Sequence, residues 1–308
     1  MLTWAQRLRF SIFLHGGAVA LRLRDEIAQR LSPNRPLVKK RRSAAATSSP
    51  LLRKLLLSHG TSQIEAQLAI PEEKPRALVL ICHGIGERLY FWSKVQLLLA
   101  EVDVGSLVFH YTSYGQSRGP CTPEGFESSA QAAYAYLASL VPEAPLFLFG
   151  TSLGTAVAAQ VAATLQPAPA GVILSQGFPS LREAGKSVLA RLNLALLPVH
   201  GWLPDVWRSA ENLAAIAPPV LVIHSPDDEL FSREMGERLY AGAASRRDGR
   251  QYMTLPADFA HDDVSLRPSM GYWQPILDFI RAETDHFTRN AEAATRSPPN
   301  PSTTAVTT

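Results

Sequence analysis

Cysteine is almost missing from this chain, with two in 308 residues. Cys82 falls inside an apolar run and Cys121 in a loop beyond it, so the sequence offers neither a disulfide framework nor a cysteine-built metal site. That usage suits a reducing compartment. Long apolar runs are missing too: the stretch from Phe10 to Leu21 carries His15 and two glycines and is too short to span a bilayer as a helix. There is no internal repeat. Positive charge is scarce outside the N-terminal segment. Residues 1–45 hold ten Lys and Arg against two acids, 10 − 2 = +8, which leaves 20 − 25 = −5 for the rest of a chain whose net charge is +3. The pI near 8.9 is therefore a property of the first 45 residues, and the acidic remainder argues against nucleic-acid binding.

Three readings stay open for residues 1–45. A basic start, a short apolar middle and Ala18-Val-Ala20 resemble a signal peptide. Trp4, Phe10 and Phe13 beside arginines suit a helix lying on an anionic membrane. A basic helical extension, packed on the body or solvated, needs neither. Lys39 to Arg42 and the Ser/Ala/Thr stretch up to Pro50 read as a solvated linker. The expected organisation is an extension and linker over 1–50, one domain over 51–287, and a disordered tail over 288–308 rich in Pro, Ser and Thr. The expected location is cytoplasmic, with peripheral membrane contact through residues 1–45 as an option.

From residue 51 the pattern becomes regular. Buried-strand runs occur at 77–82, 106–110, 146–149, 171–175 and 219–224, with a last strand at 250–255 and an edge-type alternating strand at 64–70. Helical spacing occupies 91–100, 125–140, 153–165 and a closing segment ending near Ile280. Strands alternating with helices predict an α/β fold, a mostly parallel central sheet covered by helices on both faces. Between Ser175 and Pro218 there is room for a small helical insertion (181–196 and 204–213), not a large lid. Its leucines are expected mostly to pack on the sheet, with a subset available to line an acyl-chain groove.

The chemistry concentrates at Gly150-Thr-Ser-Leu-Gly154. An apolar strand precedes it and an Ala-rich helix follows, which is the context of a nucleophile elbow. Glycine on either side relieves the clash of a tight strand-to-helix turn and lets Ser152 present its hydroxyl above the sheet. A serine needs a base and an orienting acid. His261, in the loop after the last strand, is the candidate base. Asp228, after strand 219–224, is the candidate acid, with Asp227 as the alternative. The oxyanion donors expected are the amides of Leu153, next after the serine, and Ile85, in the glycine-containing turn His83-Gly-Ile-Gly-Glu87. His83 reads as structural within that turn.

Together these residues resemble the α/β-hydrolase superfamily over roughly 51–287. The elbow, the His-Gly turn and the Ser, Asp, His order carry the resemblance. Tyr111-Thr-Ser-Tyr-Gly-Gln-Ser-Arg-Gly119 is similar to the Tyr-Arg-Gly-Tyr-Gly-x-Ser-x-Gly segment of its serine-aminopeptidase-like and depalmitoylase-like branches, with Thr112 and Ser113 replacing Arg and Gly. In those branches the second Asp of the motif matching Val220–Glu229 is the triad acid, which falls on Asp228. His83-Gly-Ile-Gly-Glu87 is closer to monoacylglycerol lipase-like enzymes. Ser225 and Ala260 stand where glycines are usual.

The expectation is a serine hydrolase that cleaves an ester or thioester of a lipophilic acyl group through an acyl-enzyme, with no cofactor and no metal. Its partner is a small-molecule or lipid-like acyl substrate. Competing readings are a peptidase or amidase, an acyltransferase, and a non-catalytic binding protein on the same fold. The sequence does not state an oligomeric state.

Overall fold

The computed structural model describes residues 2–31, 49, 51–60, 62–194, 196, 202–244 and 251–296. The linker expected over 39–50, apart from residue 49, and the last part of the tail, 297–308, lie outside the described residues. A helix α1 (Trp4–Leu31) precedes β1 (Leu52–His59) and β2 (Ser62–Ala69), an antiparallel hairpin closed through Gly60. Then follow β3 (Ala77–Cys82), a 3-10 turn (Leu89–Trp92), α2 (Ser93–Ala100), β4 (Val104–Phe109), α3 (Pro123–Leu140), β5 (Leu146–Thr151), α4 (Leu153–Val161) and β6 (Gly171–Ser175). After α5 (Leu181–Arg191) and α6 (Ser209–Leu213) come β7 (Val220–Ile223), α7 (Arg233–Ala244), β8 (Gln251–Thr254), α8 (Asp263–Leu266) and α9 (Met270–Arg296).

The eight strands form one sheet in the order β1-β2-β4-β3-β5-β6-β7-β8. β2 runs antiparallel to both β1 and β4, and every pair from β4 to β8 is parallel. The expected strand 64–70 is therefore not the edge; β1 covers it. The fully buried strands owe their continuous apolar runs to helices on both faces. Leu78, Leu80, Cys82, Leu146 and Leu148 face one core with α3 and α4, while Val79, Ile81, Phe147 and Phe149 face the other with Trp92, Trp273 and Ile276. Phe149 stacks on Trp273 at 5.4 Å.

Two expectations need correction. The last helix runs to Arg296, past the tail boundary at 288: Asn290-Ala-Glu-Ala-Ala has high helix propensity, and extending an existing helix needs no new nucleus. The insertion helices are also shorter than expected. α5 stops at Arg191, and Leu194 and Leu196 beyond it are 46% and 100% exposed rather than packed on the sheet.

In parallel sheets the loops leaving the carboxyl ends of the strands share one end of the molecule. Here those loops carry His83, His110, Ser152, Gln176, Ser225 and His261. The helix α1 lies at that end: Phe10 packs edge-on against Phe126 in the first turn of α3 (5.8 Å) and against Trp207 (5.2 Å).

Candidate active site

Ser152 sits between β5 and α4 with φ 51° and ψ −120°, a conformation that side chains other than glycine rarely adopt. The glycines around it have steric reasons. A Cβ on Gly150 would lie 2.4 Å from the Gly154 carbonyl oxygen, and one on Gly154 would lie 1.9 Å from the Cys82 carbonyl oxygen. The start of α4 is thus pressed against the end of β3. The Ser152 amide donates to the Ser175 carbonyl at 3.0 Å, and Thr155 donates to the Ser152 carbonyl from its hydroxyl (2.6 Å) and its amide (3.0 Å).

The structure brings together residues separated by more than a hundred positions. His261 Nε2 stands 2.9 Å from Ser152 Oγ, and His261 Nδ1 stands 2.8 Å from Asp228 Oδ2. All three side chains are buried. Asp228 Oδ1 accepts the Leu230 and Phe231 amides at 2.8 and 2.9 Å, which leaves Oδ2 for the imidazole. The neighbouring acids do other work. Asp227 Oδ2 accepts the Asp258 amide at 2.7 Å and Glu229 Oε2 accepts the His261 amide at 2.9 Å. Three consecutive acids therefore fasten the 256–263 loop, and only Asp228 of the two sequence candidates meets the imidazole. Burial pulls the His261 pKa down, but the charge and hydrogen bond of Asp228, with Asp262 and Glu229, outweigh it and push it up to about 9.

The turn after β3 approaches the serine from the other side. A Cβ on Gly84 would lie 3.2 Å from Ser152 Cβ. His83 Nδ1 donates to the Gly84 carbonyl at 2.7 Å. Because a trans peptide holds its C=O and N–H on opposite sides, that bond turns the Ile85 amide away from the His83 ring. Burial, with His110 beside it, pushes the His83 pKa down to about 3, so the ring is neutral. With Nδ1–H committed, Nε2 accepts from His110 Nδ1 at 3.2 Å. Tyr111, the first residue of the tyrosine segment, donates to the His83 carbonyl at 2.9 Å.

Glu87 is a residue to which the sequence assigned no role, although it closes the His-Gly-Ile-Gly-Glu motif. Its buried carboxylate accepts the Gly84 amide and the Trp92 indole on Oε2, each at 2.9 Å, and the Ser265 hydroxyl on Oε1 at 2.9 Å. One side chain thus ties the Gly84–Ile85 turn to the segment that follows His261. Its pKa is raised, first by burial and then by Asp262. Among the described residues, no group of three or more His, Cys, Asp and Glu side chains is placed to hold a metal ion.

A strained serine at a strand-to-helix elbow, within reach of an imidazole that a carboxylate orients, is the arrangement that activates a hydroxyl for acyl transfer. Residues 73–209 match the family model described as "Serine aminopeptidase, S33". An uncharacterized protein of Mycobacterium tuberculosis is 32% identical over 205 residues, covering 66% of this chain and 68% of the relative. The chain belongs to the α/β-hydrolase superfamily. It is a serine hydrolase. The hydrolase is also similar to lysophosphatidylserine lipase ABHD12 of Danio rerio, 28% identical over 229 residues, spanning 68% of this chain and 59% of that protein. In fold it resembles a Pyrococcus furiosus esterase (TM-score 0.59, 14% identity, covering 76% of this chain and 92% of that one). It also resembles monoglyceride lipase of Saccharomyces cerevisiae (TM-score 0.56, 15% identity, covering 78% and 97%).

Proposed function

We propose that the hydrolase cleaves carboxylic esters or thioesters of lipophilic acyl groups through an acyl-enzyme on Ser152. The observation that carries this reading is the continuous chain from Ser152 Oγ through His261 to Asp228, at 2.9 and 2.8 Å. Ser152 Oγ attacks the acyl carbonyl as neutral His261 Nε2 takes its proton, and Asp228 holds the resulting imidazolium. The oxyanion faces the amides of Ile85 and Leu153, and losing one such donor costs about 2.7–4 kcal/mol of transition-state stabilisation. His261 returns the proton to the leaving alcohol or thiol. Water, deprotonated by His261, then releases the acid and restores Ser152. The lipophilic acyl group is supported by the curated relatives described as lysophosphatidylserine lipases.

The test is a panel of p-nitrophenyl esters from acetyl to palmitoyl on wild type and Ser152→Ala, with fluorophosphonate labelling in parallel. The expected result is turnover that rises with chain length, and turnover and labelling that both vanish in the variant. Labelling without ester turnover, together with release from amide substrates, would replace the reading with an amidase. Faster capture of the acyl group by added alcohol than by water would replace it with an acyltransferase. Neither labelling nor turnover in wild type refutes catalysis by this site.

A further inference from the structure

The helix α1 has two apolar sides, and the body uses one of them. Phe10 and Leu14 are fully buried against the domain. Trp4, Leu8, Ile12 and Val19 are instead 77%, 44%, 51% and 52% exposed. At helical spacing these four fall within an arc of about 80° and run for about 22 Å along the helix, away from the Phe10 side. A ridge of that kind on a helix already anchored to its own domain has no folding role.

A second exposed apolar group follows the helix α5, which α1 contacts. Leu194, Leu196 and Trp202 are exposed in the segment between α5 and Trp207, and Trp207 packs on Phe10. Together the two groups make up seven of the fourteen exposed large apolar side chains among the described residues, so the exposure is concentrated where α1 meets the insertion. This is also the catalytic end of the sheet. His15 of α1 lies 6.2 Å from Tyr114, ring centre to ring centre, and Tyr114 lies 5.7 Å from His83 in the turn beside Ser152.

We infer that this surface docks the hydrolase on an anionic lipid bilayer with the carboxyl end of the sheet toward the membrane. Charge selects the occupant. The +8 carried by residues 1–45 against the −5 of the remainder makes a molecule whose N-terminal segment is drawn to an anionic surface while its body is repelled. A second copy would bring two +8 segments together. Exposed Trp4, Leu8 and Ile12 on α1, with exposed Trp202 in the insertion, are the composition of an interfacial surface. Among the described residues no helix is long and apolar enough to cross a membrane.

The test is flotation of the full chain with phosphatidylcholine vesicles, with and without phosphatidylserine, for wild type and Trp4→Glu/Ile12→Glu. Phe287→Glu, an exposed apolar position on α9, is the control. The expected result is at least about ten-fold more wild-type protein on the anionic vesicles, a loss of about ten-fold or more in the double variant, and no change in the control. Wild type that stays off both vesicle types, or a double variant that binds as well as wild type, overturns the inference. So does a dimer in gel filtration that the double variant dissolves, which would assign the ridge to a second copy. Because flotation needs no turnover, binding without ester hydrolysis would refute the proposed reaction and leave the docking in place. If both hold, the double variant keeps its rate on a soluble short-chain ester and loses about ten-fold on a long-chain ester presented in anionic vesicles.

Discussion

Replacing Asp228 by asparagine tests the orienting role more sharply than removing it. In the wild type Oδ1 is committed to two backbone amides, Leu230 and Phe231, and Oδ2 to His261 Nδ1. Asparagine has one acceptor oxygen, and the two amides claim it. Its NH2 group must then face Nδ1, which can only accept, so the remaining ring proton moves to Nε2. An imidazole protonated at Nε2 cannot take the Ser152 proton. The expected loss in kcat is about 10⁴-fold, roughly 5.5 kcal/mol, the size found when a triad aspartate is so replaced elsewhere. The pH profile carries a second signature. In wild type burial lowers the His261 pKa and the Asp228 charge raises it past that to about 9, so kcat/KM should climb with pH up to that region. Without the carboxylate charge the lowering by burial gains ground, and the residual activity should lose its acidic limb to lower pH. The assay is kcat/KM for a short p-nitrophenyl ester from pH 5 to 10, with circular dichroism to establish folding. A folded variant within about ten-fold of wild type, or one whose acidic limb stays in place, refutes the reasoning.

Further outcomes follow from the same geometry. Glu87→Ala should lower kcat by about 10²-fold with KM little changed, because the turn that presents the Ile85 amide loses its anchor; Glu87→Gln, which keeps an acceptor for Gly84 and a donor for Ser265, should recover most of it in the same steady-state assay. Gly154→Ala should cost about 4 kcal/mol or more in urea unfolding, since its Cβ would sit 1.9 Å from the Cys82 carbonyl. Stability should fall on both sides of neutrality in calorimetry. The raised His261 contributes fully below about pH 6.5 and loses its share as pH rises through about 9. His83 and His110, held down to about 3 and about 4, destabilise the fold as pH drops from 6.5 and their unfolded forms take up protons, at up to about 1.4 kcal/mol per group per pH unit. Trp4→Glu alone should leave the unfolding midpoint unchanged, because the side chain is 77% exposed.

What could be read directly from residues was whatever is local. The elbow is five contiguous residues between a strand and a helix, so the motif is legible locally, although the closest contact that demands Gly154, the Cys82 carbonyl at 1.9 Å, lies on another strand. The parallel strands were legible for a similar reason: a run such as Ala77–Cys82 is apolar at every position only because both faces are covered, and that requirement is written in the run itself. Less regular elements were harder. Leu52–His59 mixes polar and apolar residues on a half-exposed outer strand, so periodicity marks no strand there. Residues 233–244 form an amphipathic helix that carries Gly236 and Gly242 inside it, and interior glycines weaken a helical pattern.

Pairings across the chain belong to the tertiary structure. Sequence order alone left Asp227 and Asp228 as neighbours with the same chemistry; their separation into a loop clamp and an imidazole partner depends on which way each side chain leaves the turn after β7. Glu87 is similar: its place in the motif was visible, but its hold on Ser265 spans 178 positions and exists only once β3 and the loop after β8 meet at one end of the sheet. The same holds for α1. Its sequence allowed a signal, a membrane helix or a packed extension, because its apolar residues cover more than one side of the helix. Only the burial of Phe10 against Phe126 and Trp207 decided which side the body takes, and so which side is left to face outward. Local sterics and burial periodicity fix elements and elbows, while the choice among chemically equal partners is made by the distances that packing imposes.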